Sequence, residues 1–152
     1  MTRSERMKPV RRVTASREQD AARAFEEANR THQKELQQLS ALQRYREEYR
    51  SRMLETGAGG ISASRFNQFR GFLAQLDEAI KQQERVVAQA ANECERRRQF
   101  WLAARAKTQI MDKVVARYEQ EEARLEERAE QKAVDEMAQY HGRGGSERGG
   151  GD

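Results

Sequence analysis

The sequence predicts an all-α protein: an antiparallel two-helix coiled-coil hairpin in which the second helix is longer than the first. Apolar side chains recur at steps of three and four along two long stretches, as in helices that pack through one face. A glycine-rich segment, GAGGI at 57–61, separates the stretches, and so short a connection favours neighbouring antiparallel helices. With only 36% hydrophobic and 36% charged residues, the chain has too little apolar surface for a globular core.

The first helix is predicted over residues 14–56. One stripe of mostly apolar side chains runs along it at helical spacing. The stripe comprises Phe25, Ala28, His32, Leu36, Leu39, Leu42, Tyr45, Tyr49 and Met53. Residues 1–13 are expected to form a basic arm outside the helix, and the single proline of the chain, Pro9, lies in this arm.

The second helix is predicted over residues 62–140, after a turn at 57–61. Steps of three and four continue from Phe66 to Ala129, and this sustained repeat is typical of a left-handed coiled coil. Gly57 is expected to end the first helix in the left-handed conformation, and Ser62 is the expected N-cap of the second. The glycine-rich tail, residues 141–152, is predicted to be disordered.

A second apolar stripe lies beside the first near the turn. It consists of Phe72, Leu76, Ala79 and Gln83, spaced at i, i+4, i+7 and i+11. Leu73 belongs to the main stripe from Phe66 to Ala129, the seam of the second helix. Phe72 precedes Leu73 and therefore points to one side of this seam. Two interpretations remain open: extra packing over the hairpin, or a surface that binds a partner.

The unequal helix lengths predict an unpaired stretch of the second helix. With a turn centred near residue 59, Phe25 faces about residue 93, and the first helix runs out near residue 104. The later seam residues then have no partner within the chain, which suggests that another chain covers them. The alternative is that the basic arm becomes helical and covers them itself. These residues are Met111, Val115, Tyr118 and Leu125.

Charge is segregated along the same helix. Residues 96–117 carry seven basic residues against one acid, and residues 118–136 carry eight acids against three bases. Such a basic end would steer toward an acidic protein surface or a phosphate backbone, unless it serves only solubility.

No catalytic, cofactor-binding or metal-binding residues are predicted. The sequence has no G-x-x-x-x-G-K-[ST] phosphate loop and no cluster of cysteine and histidine, and Cys94 has the spacing of a small seam residue. An enzyme is therefore not expected. The absence of a membrane-spanning run and of a secretory signal leads us to expect a soluble, cytosolic protein.

Three motifs together resemble the flagellar FliJ family, soluble components of the type III flagellar export apparatus. They are YREEYR at 45–50, the turn and helix start from Gly60 to Phe66 continuing into FLAQLDEAIKQQ at 72–83, and QKAVDEMAQ at 131–139. The resemblance covers about residues 10–140. A related injectisome stalk would use similar physics, but the hairpin residues favour the flagellar branch.

The resemblance implies a stalk and escort protein, similar to the central stalk of rotary ATPases. Its partners would be the hexameric export ATPase, whose ring assembly it promotes, the transmembrane export gate, and empty export chaperones. Its location would be cytoplasmic, peripheral at the inner membrane. The gate patch would fall on Phe72, Leu76, Ala79 and Gln83, the last where a histidine is expected. The surface for the ATPase would include Arg97, Arg98, Arg105, Met111, Val115 and Tyr118.

Two other functions stay open from the residues themselves. One is a basic coiled coil that binds nucleic acid through Arg96, Arg97, Arg98 and the basic arm, with an affinity that falls steeply with salt. The other is an unrelated homodimeric coiled-coil scaffold, in which a second copy covers the unpaired stripe.

Overall fold

The computed structural model describes residues 1–146, with side chains through residue 143. Two α-helices account for nearly all of them: α1 spans Arg3–Ala58, 56 residues, and α2 spans Ala63–Ser146, 84 residues. The predicted fold class, an antiparallel helical hairpin with a longer second helix, is confirmed. The helices divide between two units: residues 17–104, which include the turn, and residues 1–16 together with residue 105 onward.

Helix α1 begins at Arg3, so residues 3–13 are helical instead of forming a separate arm. Pro9 lies inside this helix, where its ring removes one backbone hydrogen bond and crowds the carbonyl of Glu5. The extension is explained by contacts that the first turns make with α2. Ser4, Lys8 and Arg11 all bond to carboxylates of that helix, described below.

The turn occupies residues 59–62. Gly60, not Gly57, adopts the left-handed conformation, with φ of 81°. Gly57 remains in α1 because that helix runs on to Ala58. Ser62 caps α2 as predicted: its Oγ accepts a hydrogen bond from the backbone N–H of Arg65 at 3.2 Å.

Within residues 17–104, the seam of α2 follows the predicted repeat. Leu76 and Ile80 are buried, and every other position of the repeat from Phe69 to Ala104 is half-buried. The seam of α1 is shifted by one residue at two places. Glu35 and Arg46 are half-buried there, whereas their neighbours Leu36 and Tyr45 are exposed.

The contacts in this unit follow the predicted pairing register near the turn, where Gln83 meets Glu35, but not at Phe25. Phe25 packs on Trp101, with ring centroids 5.8 Å apart, and not opposite about residue 93. The helix boundaries place the centre of the turn beyond residue 59. In addition, side chains lean toward the start of their own helix, so these two large rings approach each other from staggered positions.

The other unit covers the seam that was predicted to be unpaired. Val115 is only 2% exposed, and Met111 and Tyr118 are half-buried, because residues 1–16 of α1 pack on this part of α2. The alternative stated with this prediction therefore holds: the basic arm is helical and covers these three side chains, so no second chain is needed for them. Only Leu125, at 64% exposed, stays open as expected.

Beyond Glu122, every described side chain of α2 is exposed. The helix continues past residue 140, so residues 141–146 of the expected disordered tail are helical. Residues 147–152 lie outside the described part of the chain.

The turn yields a stability prediction. Gly60→Ala should lower the free energy of unfolding by about 1 kcal/mol, because a Cβ is strained at positive φ. Gly57→Ala, within α1 and with no atom near its Cβ, should instead raise it by about 0.5 kcal/mol. Urea unfolding followed by circular dichroism measures both, and equal effects of the two substitutions would contradict this account of the turn.

Candidate functional site

Four aromatic rings cluster near the turn. Tyr49 contacts both Phe69 and Phe72, with ring centroids 5.4 and 4.6 Å apart, and Tyr45 meets Phe72 edge-on at 6.3 Å. Contacts of this geometry add to the energy of apolar burial. Phe72 is half-buried, and Tyr45 beside it is 47% exposed. The cluster therefore packs across the hairpin, as the first interpretation of Phe72 predicts, and part of its aromatic surface stays exposed.

The remaining residues of the predicted patch have different environments. Leu76 is 7% exposed and belongs to the core, so it offers little surface to a partner. It is buried because the position lies on the seam itself. Ala79 is exposed, and Gln83 is half-buried. Among the four, only Phe72 and Ala79 present appreciable open surface without an intramolecular hydrogen bond.

Two polar contacts cross the hairpin beside the patch. The Gln83 amide donates to the Glu35 carboxylate at 2.6 Å and to the Glu35 backbone carbonyl at 3.0 Å. Arg46 Nε donates to Asp77 at 2.5 Å. This hydrogen bond, together with the negative charge of Asp77, raises the pKa of Arg46. Both contacts hold the hairpin in one register next to the aromatic cluster.

The start of α1 is held by an acidic residue of α2. Glu122 accepts hydrogen bonds from the Ser4 hydroxyl at 2.6 Å and from the Ser4 backbone N–H at 3.0 Å, and Ser4 is only 4% exposed. Thr2 and Glu5 exchange bonds with each other's backbone N–H groups, which makes a capping box. The hydrogen bonds from Ser4, its hydroxyl first, lower the pKa of Glu122, with smaller contributions from Thr2 and the charge of Lys8.

Charged contacts continue along the same unit. Arg11 pairs with Asp112 at 2.6 Å, and Lys8 lies 3.9 Å from Glu119. The guanidinium of Arg3 stands 5.8 Å above the Tyr118 ring. An open cavity of about 410 Å³ lies where α1 begins, lined by Thr2, Arg3, Tyr118, Glu121, Glu122 and Leu125.

The three arginines at the start of the basic segment, residues 96–98, pair with acids on the same helix. Arg97 pairs with Glu93 at 2.8 Å, and Arg98 pairs with Glu95 at 3.4 Å. Arg96 also bonds to Glu93. These two acids lie just upstream of the basic segment 96–117 and neutralise its first arginines. Arg97 and Arg98 belong to the unit of residues 17–104, whereas Arg105 belongs to the unit with Met111, Val115 and Tyr118.

The contacts of Ser4 and Glu122 were missed at the level of sequence, although signals for them exist. The sequence TRSE at 2–5 is a capping-box pattern and marks a helix start. Steps of three and four also run from Ser4 through Met7 and Arg11 to Thr14. Within residues 1–146, no cluster of His, Cys, Asp and Glu is placed to hold a metal ion. Nor does any helix in that range have an apolar stretch long enough to cross a membrane.

Comparison with known proteins decides the family. The family model described as Flagellar FliJ protein matches residues 3–146, which is nearly the whole chain. The chain belongs to the FliJ family.

Two flagellar FliJ proteins show the same relationship. The chain is 29% identical to the FliJ protein of Salmonella typhi over 120 residues, 79% of this chain and 82% of the relative. It is 28% identical to that of Escherichia coli K12 over 121 residues, 80% of this chain and 82% of the relative. No solved structure matches. The match to FliJ extends to Arg3 and therefore includes the first turns of α1.

The contact of Glu122 with Ser4 should make stability depend on pH. Because its folded-state pKa lies below the ordinary value of 4.5, ionised Glu122 stabilises the fold above that pH. The contribution is lost as the pH falls through the folded-state pKa. Wild type should therefore be more stable than Glu122→Gln at pH 7, and the difference should shrink below about pH 4.5.

Chemical unfolding of both proteins at a series of pH values measures this difference. Glu127→Gln, a loss of the same charge at an exposed position of α2, serves as the control. A gap between wild type and Glu122→Gln that stays constant down to pH 2 would be inconsistent with the assigned role of the carboxylate.

Proposed function

We propose that this FliJ protein is a non-enzymatic stalk and escort of the flagellar export apparatus, acting through protein contacts alone. The observation that carries the proposal is the family match over residues 3–146, on a chain built as one long helical hairpin. In this function the protein works at the cytoplasmic face of the inner membrane. There it promotes assembly of the export ATPase ring, contacts the export gate and binds export chaperones.

The surface proposed for the export gate is the open side of the aromatic cluster. It comprises the exposed parts of Phe72 and Tyr45 together with Ala79. Leu76 and Gln83, also in the predicted patch, support this surface from the seam: one is buried and the other is bonded to Glu35. A preformed aromatic patch of this kind binds at low entropic cost because its rings are already ordered.

Ala79→Arg tests the gate contact directly. Substituting Phe72 or Leu76 would disturb packing within the hairpin, whereas Ala79 is exposed and its enlargement leaves the core intact. We expect Ala79→Arg to weaken binding to the cytoplasmic domain of the export-gate protein about tenfold or more, measured by calorimetry.

Ala74→Arg is the matched control. Ala74 is also exposed on α2 but lies five residues earlier, about 140° around the helix. The Ala74→Arg variant should bind the gate domain as tightly as wild type does. If both variants bind as wild type does, the gate contact lies elsewhere; if both lose binding equally, the effect is charge and not the surface.

The end proposed for the export ATPase is the unit that contains the start of α1. The predicted residues Met111, Val115 and Tyr118 are covered by α1 in this unit. A partner would therefore contact the exposed surface around them. That surface includes Leu125, which is 64% exposed and lines the cavity at the start of α1. Arg105 belongs to the same unit. Arg97 and Arg98, also predicted for this surface, belong to the other unit and are already paired with Glu93 and Glu95, so the proposal does not depend on them.

Leu125→Glu tests the ATPase contact. Added to the export ATPase, wild-type protein should increase the fraction of hexamer and the rate of ATP hydrolysis. Leu125→Glu should require about tenfold more protein for the same effect, since it places a charge where apolar surface is to be covered. Mass photometry and a phosphate-release assay measure the two quantities.

Leu54→Glu is the control for this experiment. Leu54 is 66% exposed, as open as Leu125, but it lies near the turn in the other unit. Its substitution should leave assembly unchanged. No stimulation by the wild-type protein at any concentration would refute the proposed ATPase function.

The two competing functions lose support from the structure. Nucleic-acid binding relied on Arg96, Arg97 and Arg98, but all three pair with acids one turn away on the same helix. The homodimeric scaffold relied on an uncovered stripe from Met111 to Leu125, and α1 covers that stripe except at Leu125.

A further inference from the structure

The first turns of α1 are divided from the rest of the helix by Pro9. A proline in a helix interior removes the hydrogen bond that its N–H would donate and pushes against the carbonyl four residues earlier. Within α1 that carbonyl belongs to Glu5. One backbone hydrogen bond of the helix is therefore missing where Thr2–Lys8 joins the remainder, which weakens the helix at this point.

Glu122 is the principal contact that holds this segment down. Its two carboxylate oxygens accept from the hydroxyl and the backbone N–H of Ser4, and Ser4 is the most buried residue of the segment. The remaining ties are weaker. Lys8 and Glu119 are 3.9 Å apart with both side chains about half exposed, so that ion pair contributes little. Met7 is the one apolar side chain of the segment that is half-buried.

The segment covers Tyr118. Arg3, Arg6, Met7 and Tyr118 together surround an open cavity of about 260 Å³, and Arg3 lies above the tyrosine ring. If Thr2–Lys8 lifts away, Tyr118 loses these neighbours and Glu122 loses its hydrogen-bond donors. An aromatic ring beside a free carboxylate then becomes available on α2.

We propose that Thr2–Lys8 is a releasable latch, hinged at Pro9 and locked by the Ser4–Glu122 hydrogen bonds, which covers Tyr118 in the closed protein. Tyr118 and Glu122 are half-buried in the closed form, and both become more exposed when the latch opens. Opening is a property of the chain alone, so it can be measured without any partner. Failure of the proposed ATPase contact would leave this inference untouched.

Hydrogen exchange of the full chain, read by mass spectrometry, tests the latch. In wild type, amides of residues 4–8 should exchange at least tenfold faster than those of residues 20–50, because local opening at Pro9 needs less free energy than separating the hairpin. Glu122→Gln should accelerate exchange of residues 4–8 by about tenfold more, since it removes a charged acceptor. Pro9→Ala should slow it at least tenfold.

Two internal controls separate opening of the latch from unfolding. Exchange of residues 20–100 should be the same in all variants, and Glu127→Gln, an exposed charge loss on α2, should match wild type throughout. The proposal is overturned if residues 4–8 in wild type are protected as strongly as residues 20–50. It is also overturned if Pro9→Ala and Glu122→Gln leave their exchange unchanged.

Discussion

Two highly charged helices bury most of their apolar area through one stripe of side chains, which repeats at steps of three and four. Within the described residues this stripe contains just three buried apolar side chains: Leu76, Ile80 and Val115. Most of the remaining seam positions are half-buried, whereas Leu36, Tyr45, Phe66 and Leu125 are exposed. Stability is therefore distributed along the hairpin in thin layers, and no central core compensates for a layer that is lost. Each layer has to supply its own packing or its own polar contacts.

Polar residues on the seam consequently determine which layers face each other. Apolar side chains slide past one another at little cost when a helix shifts by one heptad, whereas a paired amide or carboxylate does not. Gln83 with Glu35 and Arg46 with Asp77 are contacts of this kind, close to the turn. At the start of α1, Glu122 with Ser4 has the same effect. Fixing the register is also what brings Tyr45 and Tyr49 of α1 onto Phe72.

The sequence predicted the seam of α2 well because a sustained repeat is a property of one helix alone. It predicted poorly whatever depends on the opposite helix. Because of Pro9, residues 1–13 were predicted to lie outside the first helix. Contacts with α2 nevertheless stabilise a helix there. For Phe72, periodicity gave the direction of the side chain but not the rings of Tyr45 and Tyr49 across the seam. The pairing of Arg97 with Glu93 is local, four residues apart on one helix, and is therefore predictable from the sequence.

The two candidate surfaces differ in the kind of interaction that holds them, and this difference suits different modes of binding. The aromatic cluster is packed from both helices, so its exposed side is ordered before a partner arrives. The start of α1 is held mainly by hydrogen bonds to one carboxylate, next to a helix weakened by Pro9. Such a segment exchanges its contacts readily, because a partner can replace each hydrogen bond in turn. One hairpin can thus offer a rigid surface near its turn and an adaptable one where α1 begins, using the same seam repeat for both.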